Sequence, residues 1–136
     1  MATRAHENLE NAVIRTFTVK AAAAATANRL IKFGAADDEV EDAGANEAGF
    51  GIAIESAVAA AKVQVALLCG ASIIKVKVGT GGATRGAAAV NAADGLTDQT
   101  VGGGTTLVHI AGYFLQSGVV GDLVGLMPMR HSTVMA

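Results

Sequence analysis

Residues 51–58 read Gly-Ile-Ala-Ile-Glu-Ser-Ala-Val, and residues 112–119 read Gly-Tyr-Phe-Leu-Gln-Ser-Gly-Val. Each copy is followed by a turn of small residues with one charged residue, Lys62 or Asp122, and then by a second apolar stretch. A strand, a tight turn and a second strand that occur twice are typical of a small all-β domain. The repeat therefore predicts two related hairpins, at 49–68 and 111–127.

The segments around this repeat also favour strands. Residues 72–78 alternate, which places Ile74, Val76 and Val78 on a core face and both lysines of the segment on a solvent face. Asp94-Gly95 is a strong hairpin signal. The predicted fold class is all-β: a small barrel or sandwich of short antiparallel strands.

Three segments of the chain are predicted to differ in order. Residues 1–12 are polar and predict a flexible N-terminal arm, residues 13–128 predict a single β domain, and residues 129–136 predict a C-terminal tail after Pro128 ends the last strand. Within the domain, the acidic stretch 35–48 is expected to form a loop or a weak edge strand. Cys69 ends an apolar run and is expected to be a buried small hydrophobic residue.

Composition predicts a thin core for the monomer. The chain has 136 residues, of which 51% are hydrophobic and only 4% aromatic, and much of the hydrophobic fraction is alanine. Alanine gains little from burial, whereas each ordered residue still loses about 1–2 kcal/mol of backbone entropy. Association with other molecules is therefore expected to add stability.

Charge argues against two classes of partner. The net charge is −2 and the cations form no stripe, so we expect no nucleic acid partner. Charged residues interrupt the longest apolar stretch, so we expect no membrane-spanning helix.

The first 32 residues are rich in cations, whereas residues 37–47 hold half of the acidic side chains. This asymmetry leaves two interpretations open: solvated faces, or head-to-tail charge matching between copies.

No pattern of residues predicts an active site, a metal site or a cofactor. The glycine-rich segment 79–86 lacks the Gly-Lys-Ser/Thr of a phosphate loop, and His6, His109 and His131 have no metal-ligand spacing. Ser56 and Ser117 occupy equivalent turn positions, which favours a role in the hairpins over nucleophilic catalysis. We therefore expect a protein that is not an enzyme.

The order of these segments resembles the small capsid decoration, or cement, proteins of tailed bacteriophages. The resemblance covers about residues 13–128 and rests on six segments: 26–33, 51–55, 62–68, 76–79 with the glycine-rich loop, 93–95 and 112–124. The arm, the acidic stretch and the tail depart from the family's pattern.

The resemblance implies a virion protein on the outer surface of the capsid, which bridges and stabilises neighbouring copies of the major capsid protein. Self-association is also expected, as a homotrimer in preference to a dimer or a monomer that assembles only on the capsid. The candidate capsid or intersubunit contacts are charged residues of the arm, the first strand and the acidic stretch: Arg4, His6, Arg15, Asp37, Asp38, Glu39, Glu41 and Asp42. Two alternatives remain open, a β-barrel binding module of the virion (tail- or carbohydrate-associated) and a small trimeric β enzyme.

Overall fold

The computed structural model describes residues 12–69, 72–99 and 106–135. Within these ranges the regular structure consists of strands, without a helix. In chain order they are β1 (Ile14–Val19), β2 (Leu30–Phe33), β3 (Glu39–Asp42), β4 (Gly51–Ala53), β5 (Lys62–Leu67), β6 (Ile74–Lys77), β7 (Ala88–Ala92), β8 (Gly95–Asp98), β9 (Thr106–Phe114) and β10 (Leu123–Met135). The predicted all-β class is confirmed.

The first five strands form a closed barrel, here called the first unit (residues 12–69). Its strand order is β1-β3-β2-β4-β5, and β5 closes the barrel by pairing with β1. The β1–β3 pair is parallel, and the other pairs are antiparallel. A barrel or sandwich of short antiparallel strands was predicted, and the first unit is a barrel; the parallel pair was not predicted, because it joins strands that are not consecutive in sequence.

The last five strands repeat this arrangement as a second unit (residues 72–99 and 106–135). Their order is β6-β10-β9-β7-β8, and a parallel bridge between Val78 and Leu96 connects the ends of β6 and β8. Strands β6 to β10 therefore have the same neighbours around the ring as β1 to β5. The predicted hairpins are confirmed as the β4–β5 and β9–β10 pairs, which are equivalent in the two units.

Hydrogen bonds outside the strands show that the duplication extends through the loops. Thr26 donates its backbone N–H and hydroxyl to the Asp42 carboxylate at 2.9 and 2.6 Å. Thr84 donates the same two groups to Asp98 at 2.7 and 2.5 Å. In both units this pair of bonds attaches the loop between the first two strands to the third strand.

The repeated turn serine has the structural role that the sequence predicts. The Ser56 hydroxyl accepts a hydrogen bond from the Ala27 N–H at 3.0 Å. The equivalent Ser117 accepts one from the Arg85 N–H, also at 3.0 Å. Each serine therefore joins the hairpin turn to the neighbouring loop.

The core consists of two clusters of buried side chains. The first fills the barrel of the first unit and includes Phe17, Ile31, Val63 and Val65. The second fills the second unit and extends to the outer face of the barrel, where it includes Leu30, Ile52, Ala66 and Leu68. Because Leu30 and Ile31 are consecutive and point to opposite faces, strand β2 is buried on both sides.

Polar contacts also join the two units. The Asn28 carbonyl accepts a hydrogen bond from the Lys77 N–H at 3.0 Å, and the Asn28 side chain donates to the Lys75 carbonyl at 3.1 Å. Asn46 donates to the Leu107 carbonyl at 2.9 Å and accepts from the His109 N–H at 3.2 Å. The Asn46 side chain thus bonds the edge of β9 as a residue of a neighbouring strand would.

The prediction that Pro128 ends the last strand is wrong. Strand β10 continues to Met135, paired with β9 on both sides of a bulge, and residues 129–135 are part of the sheet instead of a tail. Pro128 pairs with Gly112 and His131 pairs with Ile110, so β10 has one extra residue between these pairs. Proline is tolerated at such a bulge because the ladder does not need its missing N–H there.

Three further expectations are corrected. Residues 39–42 are neither loop nor edge, because β3 lies between β1 and β2 and pairs with both. Lys75 is buried on the face expected to be wet, where its ammonium group donates to the Gln116 amide oxygen at 3.4 Å. Cys69 is exposed, because it follows the last paired residue of β5.

The predicted arm, residues 1–12, lies outside the described residues except for its last residue, Ala12.

Candidate contact surface

Three phenylalanine rings on the first unit form a stacked cluster at the surface. The rings of Phe33 and Phe50 are parallel, with centroids 3.9 Å apart, and the ring of Phe17 meets them edge-on at 6.3 and 5.2 Å. Phe17 and Phe50 are buried, whereas 62% of Phe33 is exposed. Neighbouring rings therefore hold Phe33 in a fixed orientation while its outer face remains in solvent.

Phe33 borders a surface groove of about 360 Å³. We call it the Phe33 groove; it is lined by Arg15, Phe17, Phe33, Phe50, Leu67, Leu68, Cys69 and Arg130. The two arginines are exposed, and the lining contains no acidic side chain. The groove thus combines an apolar floor with positive charge, which suits an acidic partner.

The structure separates the predicted acidic contacts into two groups. Three of them are bound within the first unit: Asp42 by Thr26, Glu39 by the Ala35 N–H at 3.2 Å, and Glu41 by the Lys20 ammonium group at 3.3 Å. These carboxylates stabilise the barrel and have less capacity to bind another molecule.

Asp37 and Asp38 form the second group, at the exposed turn between β2 and β3. We call residues 35–38 the acidic turn; all four of its residues are exposed. No side-chain hydrogen bond or ion pair to either aspartate is found within residues 12–69, 72–99 and 106–135. Of the predicted contacts, Arg15, Asp37 and Asp38 are thus available at the surface. Arg4 and His6 lie outside the described residues.

Exposed valines at the hairpin turns are a feature that sequence reasoning missed. Val58 is 75% exposed in the first unit, and the equivalent Val119 is 69% exposed in the second, beside Val120 at 56%. Their recurrence after the turn serine was visible in the repeat, but not their exposure. Exposed apolar side chains at equivalent places are candidate contact points.

Two carboxylates outside residues 35–42 have lowered pKa values. The hydrogen bond from the Lys32 ammonium group, at 2.7 Å, lowers the pKa of Glu47 and raises that of Lys32. The backbone N–H and the hydroxyl of Thr80 donate to Asp94 at 2.9 and 2.7 Å and lower the pKa of that carboxyl. Both carboxylates hold surface loops in place.

Acid is expected to destabilise the protein through these groups. A carboxyl whose folded pKa is lowered contributes stability above its unfolded pKa, here 4.5 for Glu47 and 3.8 for Asp94, and loses it as the pH falls below that value through the folded pKa. The variant Asp94→Asn should be less stable than the wild type at pH 7, and the difference should shrink at acid pH. Thermal unfolding midpoints across this range measure it, and a difference that is constant with pH would contradict the assignment.

The described residues contain no group of three or more His, Cys, Asp and Glu side chains that could hold a metal ion. His109 and Ser132 face each other across β9 and β10, with Nδ1 2.8 Å from the hydroxyl oxygen, at an exposed position. In the part of the chain that the structure describes, no helix has the length and apolar character needed to span a membrane.

Comparison with known proteins shows a fold shared with a phage protein. No family model matches the chain, and no curated protein matches it. Among solved structures, the N base of the head fiber gp8.5 of bacteriophage phi29 is similar, with a TM-score of 0.67 and 21% sequence identity. The match covers 89% of this chain and 98% of that chain. At this identity, the likeness shows that the two proteins share a fold.

Proposed function

We propose that this protein is a structural component of a bacteriophage head, without enzymatic activity or a cofactor. The observation that carries the proposal is the match to the base of a phage head fiber, because it covers nearly the whole of both chains. The sequence resemblance to capsid decoration proteins supports the same role independently.

In more detail, the protein acts as a decoration protein on the outer surface of the mature head. It binds the major capsid protein, bridges neighbouring copies and stabilises the shell. The duplication supports bridging, because Val58 and Val119 occupy equivalent exposed turns and offer two similar contacts to a repeating lattice. Two linked contacts also bind more firmly than either contact alone.

Self-association as a homotrimer completes the proposal. A cyclic assembly lets each copy present a basic surface to one neighbour and an acidic surface to the other. Arg15 and the acidic turn are exposed and opposite in charge, as this requires. Several linked subunits on a lattice of repeating sites gain avidity even where each contact is weak.

Binding to heads tests the proposal directly. Purified protein is mixed with mature heads of the virus that encodes it, prepared without this protein, and bound protein is measured by co-sedimentation. We expect saturable binding to mature heads, little binding to unexpanded heads, and greater resistance of decorated heads to heat. Absence of saturable binding to mature heads would contradict the proposed function.

The paired valines provide a sharper variant of this experiment. Replacing Val58 and Val119 together by aspartate should weaken head binding about tenfold or more, because two desolvated contacts are lost at once. The matched control carries Leu107→Asp and Met127→Asp, which place the same two charges at apolar positions that are 47% and 41% exposed but lie outside the hairpin turns and the Phe33 groove. It should bind as the wild type does. Equal binding by all three proteins would exclude the valines as contacts.

A further inference from the structure

The Phe33 groove has the properties of a binding surface, because it exposes an aromatic ring and two arginines that have no ion-pair partner among the described residues. Its central ring is 62% exposed yet stacked on a buried ring, so contact with it costs little side-chain entropy. Arg15 and Arg130 stand in the lining, and neither forms an ion pair among the residues that the structure describes. A ligand for this groove therefore has negative charge and a small apolar part.

The acidic turn of the same protein has this chemistry. It presents Asp37 and Asp38 directly after two exposed alanines. The turn is held from both sides, because the Gly34 N–H donates to the Glu39 carbonyl at 2.7 Å and the Thr18 N–H donates to the Asp38 carbonyl at 2.8 Å. A projection that is already ordered loses little entropy on binding.

The acidic turn does not pair with the groove of its own chain. It begins two residues after Phe33, and its bond to Thr18 holds Asp38 beside β1. Among the residues that the structure describes, neither of its aspartates forms an ion pair with Arg15 or Arg130. The charges of the turn and of the groove are therefore available to a second molecule.

We propose that the acidic turn of one copy docks in the Phe33 groove of a second copy, head to tail. In this contact the aspartates face Arg15 and Arg130, and the small residues 35–36 lie against the ring of Phe33. Such a contact is heterologous, and it closes into a ring when the rotation between copies allows. The proposal deepens the proposed function, since it rests on self-association and identifies the surfaces that carry it.

Charge reversal tests this contact. The groove variant carries Arg15→Glu and Arg130→Glu, and the turn variant carries Asp37→Lys and Asp38→Lys. Each is expected to weaken self-association about tenfold or more, because attraction is replaced by repulsion between like charges. The variant with all four substitutions should regain most of the association, because the charges are complementary again. Native mass measurement and sedimentation over a concentration series give the association constants.

Two further variants control for folding and for unspecific charge effects. Arg85→Glu reverses an exposed charge of the second unit outside the groove and should associate as the wild type does. Phe33→Ser should weaken association while the circular dichroism spectrum of the dilute protein stays unchanged. Raising the salt concentration should weaken wild-type association, because exposed charges are screened beyond about 8 Å at physiological ionic strength.

The outcomes distinguish the inference from the function on which it rests. Undiminished association of the groove and turn variants, or a folded four-substitution variant that stays dissociated, would overturn the proposed contact. So would a wild-type protein that is monomeric at every concentration, although head binding could still occur. If the groove variant associates normally but no longer binds heads, the groove binds the capsid and the contact between copies is refuted.

Discussion

Replacing Phe114 by alanine is expected to lower the free energy of unfolding by about 3–5 kcal/mol, the typical loss for a buried phenylalanine. Phe114 is 1% exposed and packs in the core cluster with Val76, Val124 and Leu126. The equivalent position of the first unit is Ala53, where Phe17 and Phe50 of the same cluster supply the bulk instead. The second unit has no such substitute, because its cluster otherwise consists of aliphatic side chains.

Urea unfolding followed by circular dichroism measures this loss. The control is Phe33→Ala, which removes the same side chain from a position that is 62% exposed and should cost less than about 1 kcal/mol when both variants are measured as dilute monomers. Similar losses for the two variants would show that the core of the second unit is less tightly packed than the structure indicates.

The fold class was predictable from the sequence because the signals that specify it are local. The hairpin turn at Ala93-Asp94 and the alternating residues of β6 are each specified within a few residues. The duplication of the entire unit was not predictable in the same way. The two units share a backbone geometry more than a sequence. Three positions with a left-handed backbone are glycine in the second unit but Ala22, Asn28 and Ala60 in the first.

The first unit has Ala22, Asn28 and Ala60 where the second has Gly81, Gly86 and Gly121. These differences explain why the duplication is hard to recognise in the sequence. Asn28 and Gly86 have φ values of 65° and 85° and donate equivalent hydrogen bonds, to Ala53 and Phe114 respectively. Glycine and asparagine both tolerate this conformation, so the backbone is retained while the residue type changes. The hairpin serines, the glycines before them and the Thr26–Asp42 and Thr84–Asp98 pairs remain recognisable in both copies.

For the candidate surface, sequence could locate the charges but could not show which of them are used internally. Glu39, Glu41 and Asp42 look the same as Asp37 and Asp38 in a count of acidic residues. Their partners come from distant parts of the chain, such as Thr26 and Lys20, and only the barrel brings them together. Arg130 was not identified as a surface residue of the domain, because the sequence assigned it to a tail, whereas it lies on β10.

Replacing Gly112 by alanine is expected to destabilise the protein by about 3 kcal/mol or more, because the strands leave no room for a methyl group. Gly112 lies on β9 between Pro128 of β10 and Ala89 of β7. A Cβ atom there would overlap the Met127 carbonyl oxygen and approach the Pro128 Cα to 3.1 Å. Both atoms belong to backbone at the β10 bulge, so neither can rotate away as a side chain would.

A second glycine separates this effect from the general effect of losing a glycine. Gly121 has a φ of +92° and no atom within 4 Å of its Cβ position, so Gly121→Ala strains only the local backbone, by about 1–2 kcal/mol. Gly51, the counterpart of Gly112 in the first repeat, should behave like Gly112, since its Cβ would lie 2.8 Å from the Ala66 carbonyl oxygen. Urea unfolding ranks the three variants, with soluble yield as a second measure if one of them does not fold. Equal losses would contradict close contact between strands as the reason for Gly51 and Gly112, neither of which has a positive φ. A larger loss at Gly51 and Gly112 would show that close contact between strands is the reason, and would explain why this glycine begins both copies of the repeat.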